Sequence, residues 1–175
     1  MGNSKLKYLK TTAATLLFSS ILFAYQATII QENENGLVLN ISDSSKLEWR
    51  NSGTGTESRN SIHLGIADII EISNSLSVPY WSVALALPAP KAPTIRISNI
   101  KTEIINLDQP LTMDDIQSIN SKPTSEVVDI GYFRFNPVGE LIIYPIRATN
   151  SGQISVVRSL DVSVIYSGQS VKKPQ

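Results

Sequence analysis

Few side chains in this chain stand at the spacings that chemistry requires. The single histidine, His63, lies between Ile62 and Leu64 with no acidic cluster beside it, and a metal site takes about three or four ligands, so it reads as an ordinary sheet-surface histidine. Asp114 and Asp115 are adjacent carboxylates without the glycine and spaced oxygens of a calcium loop. That pair fits the first turn of a helix, where the backbone dipole favours negative charge. GTGTESR, around Gly53 and Gly55, lacks the lysine and the strand-to-helix transition of a phosphate loop. Serine, histidine and acids are all present, yet no nucleophile-elbow spacing accompanies them, so a catalytic triad is not expected. No catalytic residue, no metal and no cofactor is expected.

Two further groups invite a binding role. Trp49, Trp81 and Tyr80 could form an aromatic platform for a glycan, but Trp81 is in phase with Val83 and Leu85, which assigns it to the core. Asn40-Ile41-Ser42 fits a glycosylation sequon, a motif that recurs by chance and needs no such explanation on the polar face of a strand.

The elements that must position these residues are bounded by composition. A chain of 175 residues suffices for one domain with a sizeable core, and 42% hydrophobic against 17% charged residues is a globular balance. Fifteen basic residues match fifteen acidic ones, so nothing points to nucleic acid. Cysteine is absent. That excludes disulfides, a thiol nucleophile, cysteine metal sites and a lipoprotein anchor, and leaves stability to packing alone. At the N-terminus, Lys5, Lys7 and Lys10 precede the uncharged run Thr11 to Ala24, which is the pattern of an export signal, residues 1–24, with cleavage after Ala24 or Ala27. The rival is an uncleaved anchor, since residues 11 to 30 carry no charge and approach the ~20 residues of a membrane span. The Thr, Ser and Gln content of that run favours the cleaved signal.

The rest is strand writing. After the polar turn Gln31 to Gly36, Leu37, Leu39 and Ile41 alternate with Val38, Asn40 and Ser42; a second strand covers Lys46 to Arg50. Asn51 to Ser61 reads as a surface loop and Ile62 to Ser73 as one strand. Trp81, Val83, Leu85 and Leu87 share a face, bracketed by Pro79 and Pro88 at the strand ends. In TIRISNIKTEII the alternation slips around Ser98 and Asn99, predicting a β-bulge or a bend. Asp108 to Ser125 is a long loop with one helical turn at Asp114 to Ile119. From Gly131 to Ser167, apolar segments are separated by turns at Pro137-Val138-Gly139 and Asn150-Ser151-Gly152, and Leu160, Val162, Val164 and Tyr166 fall on one face. The expected fold is all-β, an antiparallel two-layer sandwich, jelly-roll-like, of roughly eight to ten strands.

Two segments carry a family resemblance. VPYWSVALALPAPKAPTIRI and GYFRFNPVGELIIYPIRATNSGQISVVRSLDVSVIYS, between Val78 and Ser167, resemble the propeptide domain found ahead of gingipain-type cysteine peptidases. In order they match a proline-led strand, the phrase ALP, a Gly-aromatic-Arg strand, a YP strand and a final strand ending in an aromatic. The resemblance implies a β-sandwich prodomain over residues 28–168, exported by a bacterium of the Bacteroidota type and associated with type IX secretion. It further implies that the domain assists folding of a cysteine peptidase and covers its active site until removed. The expected partner is that peptidase domain, downstream on the same chain. With no cysteine, the residues given cannot perform the family's thiol chemistry.

Such a prodomain would place an exposed loop in the substrate cleft, with a basic side chain filling a basic-specific pocket. Lys122, alone in the long polar segment, is the candidate, with Lys91 and Lys101 as competitors. Residues 169–175 read as a linker or a truncated C-terminus, with Lys172 and Lys173 as a candidate processing site and Ala24 as the signal cleavage point. The alternative reading is a stand-alone cell-envelope module for adhesion or carbohydrate binding.

Overall fold

The computed structural model describes residues 25–52, 59–73 and 75–166. Among them run eleven strands and one helix: β1 Tyr25–Asn33, β2 Gly36–Asp43, β3 Leu47–Ser52, β4 Arg59–Leu64, β5 Asp68–Ser73, β6 Leu76–Ala86, β7 Thr94–Ile105, α1 Met113–Ser121, β8 Ser125–Phe133, β9 Asn136–Ile143, β10 Ile146–Ala148 and β11 Ile154–Ile165. One sheet holds β1, β2, β11, β10 and β7, the other β3, β4, β6, β9, β8 and β5. All pairings are antiparallel except a short parallel contact of β4 with β6. This is the all-β sandwich that the alternation predicts.

The strands form because every second residue is apolar and aimed at one interior. Leu37, Leu39 and Ile41 of β2 and Leu160, Val162 and Val164 of β11 line the first sheet; Ile62, Leu64, Trp81, Leu85, Leu141 and Ile143 line the second. Each such side chain stabilises by about 1.5–3 kcal/mol on burial, so the core substitutes for the absent crosslinks. The sheets are also tied by a hydroxyl. Tyr25 Oη donates to Ser82 O and accepts from Ser82 N at 3.1 Å, with its ring 5.6 Å from that of Trp81. Burial, the leading cause, pushes its phenol up.

Several boundaries differ from those read in the sequence. β1 begins at Tyr25, ahead of the position 28 expected for the domain start, and residues 31–33 continue it, so the polar turn is confined to Glu34 and Asn35. Cleavage after Ala27 would remove Tyr25 and its tie to β6, whereas Ala24 lies outside the described residues. The loop expected over Asn51 to Ser61 is shorter, because Asn51, Ser52, Arg59 and Asn60 pair across β3 and β4. Gly53 and Gly55 lie outside the described residues. The single strand expected over Ile62 to Ser73 is two strands, split at Gly65, whose φ of 57° is left-handed backbone that glycine adopts without steric cost. Pro79 sits inside β6 rather than at its end, opposite Ile69 of β5. It is tolerated because the contact with β4 stops at Ser77, so no neighbour on that side asks for its missing N–H.

The slip at Ser98 and Asn99 is a bulge within one continuous strand. Asp161 pairs with Ser98 and Ser159 with Lys101, leaving Asn99 and Ile100 opposite Leu160 alone. Asn99, with φ 52°, turns its amide to donate to Asp161 Oδ2 at 2.6 Å, while Asn40 donates to Asp161 Oδ1 at 2.8 Å. These two hydrogen bonds hold the Asp161 carboxyl below the usual range. The sequon asparagine is therefore engaged in the sheet.

α1 is longer than the expected turn because its start is capped at both atoms. Thr112 Oγ1 accepts from Asp115 N at 3.1 Å, and the Asp115 carboxylate accepts from Thr112 N at 3.1 Å, a capping box. Asp114 and Asp115 occupy the first turn. At the other end, the Asn120 side chain bonds both N–H and C=O of Ala148, closing the outer edge of β10.

Candidate functional site

The feature that stands away from this core is the tip of the β8–β9 hairpin. Phe133 pairs with Asn136 and Tyr132 with Pro137, so the turn consists of Arg134 and Phe135 alone. Both have left-handed backbone, φ 47° and 75°, the type I′ geometry whose twist suits a two-residue hairpin. Side chains other than glycine or asparagine are strained there by about 1–3 kcal/mol each, and strain of this kind concentrates at functional sites. The turn expected at Pro137-Val138-Gly139 thus lies three residues earlier, with all three inside β9.

The tip is apolar and cationic. Phe135 is 96% exposed, Tyr132 66% and Phe133 55%, while the Arg134 guanidinium stands 5.6 Å from the Phe133 ring centroid. That is cation–π distance, which holds the guanidinium among the rings without discharging it. Arg134 makes no ion pair among the described residues. A second bulge between Val128 and Gly131 includes Asp129 at φ 49° and twists the strand leading to the tip.

The base of the hairpin is fixed. Leu87 N donates to Pro137 O at 2.9 Å, and Gly139 is packed so closely that a Cβ there would meet Leu87 and Val127 at 3.2 and 3.3 Å. The final strand ends at the same place: Tyr166 Oη donates to Ala86 O at 3.3 Å and Tyr166 N to Asn35 O at 2.9 Å. A fixed base, to which Tyr166 is also bonded, therefore carries a strained, exposed, basic and aromatic tip.

Lys122 is placed differently. It is the C-terminal cap of α1, half-buried, with Nζ 5.5 Å above the Tyr144 ring. Tyr144 is buried and donates to Glu126 Oε1 at 2.6 Å. Burial first, and then the Glu126 carboxylate, push its phenol far above the usual range. Arg147 joins the cluster by donating to Thr124 Oγ1 at 3.1 Å and to Ile146 O, and burial lowers its guanidinium. Lys91 and Lys101 are exposed, in the β6–β7 loop and on β7. Lys172 and Lys173, like Ala24, lie outside the described residues.

The other sequence-level groups do not converge. His63 Nε2 is 2.9 Å from Ser61 Oγ, and burial followed by Arg50 depresses the imidazole. Glu48, directly across the strand pair, gives its carboxylate to Arg50 at 2.8 Å, so serine, histidine and acid do not form a relay. Among the described residues, no three of His, Asp and Glu cluster as metal ligands, and no helix is long and apolar enough to cross a membrane. Trp81 is wholly buried and Trp49 packs against the core, so the two do not form an outer platform. The hairpin tip was written in the sequence as Tyr-Phe-Arg-Phe, and three aromatics around one arginine beside a turn was the signal that could have found it.

No protein-family model matches the chain, and no curated protein matches it. Solved structures do. A chain from a structure concerning the zymogenic latency of gingipain K from Porphyromonas gingivalis superposes with a TM-score of 0.61 at 15% identity, covering 82% of this chain and 93% of that one. A chain from the complex of the Porphyromonas gingivalis RgpB pro- and mature domains gives a TM-score of 0.56 at 11% identity, covering 82% and 84%. At such identities the likeness is one of fold, and the gingipain-type propeptide fold expected from Val78 to Ser167 is the fold this chain shares with those structures.

Proposed function

We propose that the chain is an exported, non-catalytic propeptide domain that assists the folding of a gingipain-type cysteine endopeptidase and masks its active site. The observation that carries this reading is the fold match over nearly the whole of a chain solved for gingipain K zymogenic latency. A second structure with the same fold is a complex of pro- and mature domains. The absence of cysteine fits a cover and not the peptidase itself.

Within this reading two basic side chains compete for the cleft. Lys122 stands in the long β7–β8 connection but lies against Tyr144, and leaving that ring would cost its cation–π contact. The β8–β9 tip offers Arg134 already projected, flanked by aromatics that would exclude water from an acidic-floored pocket. We assign the masking contact to the tip. Export follows cleavage after Ala24, which leaves β1 whole. The peptidase follows on the same chain, joined by a linker in which Lys172 and Lys173 are the processing site.

The reading frame downstream of Gln175 tests the partner. The account expects a domain with a His and Cys dyad, while a stop codon there would favour the stand-alone adhesion or carbohydrate-binding module.

A further inference from the structure

The first sheet ends on β7, the longest of its edge strands. β7 runs along the whole of β11, and the opposite side of β11 is shared by β10 and β2. Its outer edge makes no backbone hydrogen bond among the described residues. The outer edge of β10, by contrast, is closed by Asn120. A long open edge is a template for another strand, and proteins ordinarily blunt it with charge, bulges or short length. The bulge at Asn99 interrupts the first half of β7, and a second register shift falls opposite Lys101 and Thr102, but its extra residue, Arg158, is on β11, so the alternation of β7 from Ile100 to Ile104 is unbroken. Beyond it, Ile100 and Ile104 are 49% and 53% exposed.

The residues of that second half are arranged symmetrically. Ile100-Lys101-Thr102-Glu103-Ile104 reads the same in both directions once opposite charges are exchanged. If two copies of β7 pair antiparallel about a two-fold axis at Thr102, Ile100 faces Ile104 of the other copy and Lys101 faces Glu103. Alternate residues share a face, so the isoleucines gather on one side of the ribbon and the charges on the other. A symmetric pair is self-complementary by construction, because each contact occurs twice. Centring on Lys101 or on Glu103 would set like charges opposite each other. Glu103 already accepts from Arg158 Nε at 2.7 Å, and Lys101 makes no ion pair among the described residues. The second copy would supply Lys101 with a partner and Glu103 with a second.

From this we infer that β7 is a homodimer interface, occupied by β7 of a second copy in antiparallel register about Thr102, joining two sandwiches through one continuous sheet. The inference is independent of the masking role, since β7 is not part of the hairpin.

The chain has no cysteine, so one introduced thiol reports register without background. Directly opposed residues in an antiparallel pair lie about 4.5–5.5 Å apart between Cα atoms, within disulfide reach. The protein purified after export, carrying Thr102→Cys, is expected to crosslink to itself under mild oxidation, while Asn99→Cys and Lys91→Cys crosslink at least tenfold less. In sedimentation, Lys101→Glu is expected to weaken the dimer at least tenfold and the exchange Lys101→Glu with Glu103→Lys to restore it. A monomer at all concentrations overturns the inference. So do equal crosslinking at the three positions, failure of the exchange to restore pairing in a folded protein, and a Thr102→Cys crosslink formed only to a different polypeptide.

Discussion

Two basic side chains, Arg134 and Lys122, sit about a dozen residues apart and meet aromatic rings at almost the same distance, 5.6 and 5.5 Å. Their settings are opposite. The ring under Lys122 is Tyr144, buried and bonded to Glu126, so the lysine closes the end of α1 onto the sandwich. The rings around Arg134 are themselves exposed and held out by a turn in which both residues take left-handed backbone. A cation over a buried ring is tied into the packing, whereas a cation among exposed rings on a strained turn is open to solvent, and long connections are not by themselves the parts that project.

The contrast breaks first at Tyr144. Tyr144→Ala removes a buried ring and leaves Glu126 and Lys122 without their contacts, so unfolding free energy should fall by about 3–5 kcal/mol in a denaturant titration. Inhibition by whatever protein remains folded should be unchanged. If inhibition is lost in proportion to folded protein, the α1 end is part of the contact and the comparison fails. Next, Arg134→Ala with Phe135→Ala should weaken inhibition of the purified RgpB mature domain by about 100-fold, the effect of one or two interface hot spots. Lys122→Ala should change it by no more than about threefold. A ranking in the reverse order would return the role to the lysine.

Replacing Arg134-Phe135 by Asn-Gly separates stability from function. Those residues adopt the I′ turn without strain, so the domain should gain about 2 kcal/mol or more and melt several degrees higher, while inhibition falls. No gain in melting temperature would mean that the turn is not strained as its φ angles indicate.

The smallest effect concerns pH. The Tyr144 phenol keeps its proton in the folded state to higher pH than in the unfolded chain, where it ionises near 10. The folded state then binds more protons, so stability from this group is complete below about pH 10 and is lost as pH rises further. Tyr25, Tyr80 and Tyr166 are raised in the same sense, so Tyr144→Phe should lessen the alkaline loss without abolishing it. An unchanged slope would place the ring in water.

Much of the fold was legible because burial on one face imposes a period of two. Trp81, Val83 and Leu85 revealed their strand and their shared inward face, and the slip at Ser98 and Asn99 located a bulge to the residue. Boundaries set by backbone conformation were less legible. Proline and glycine drew the hairpin turn to Pro137-Val138-Gly139, whereas the chain bends at Arg134 and Phe135, residue types that seldom take positive φ. That same departure from turn chemistry hid the candidate site, because a sequence rule built on comfortable turns passes over a strained one. Lys122 shows the complementary limit: polarity and loop length are visible in sequence, and the ring beneath its ammonium is not.

The central claim is that this domain covers a cysteine peptidase through the β8–β9 tip. Its most direct test is titration of the exported protein, and of its Arg134→Ala, Phe135→Ala form, into a gingipain-type mature peptidase domain while following turnover of a small substrate. The account predicts stoichiometric slowing by the native domain and about 100-fold weaker slowing by the variant. Unimpeded turnover at saturating native domain, or equal inhibition by both forms, would contradict it.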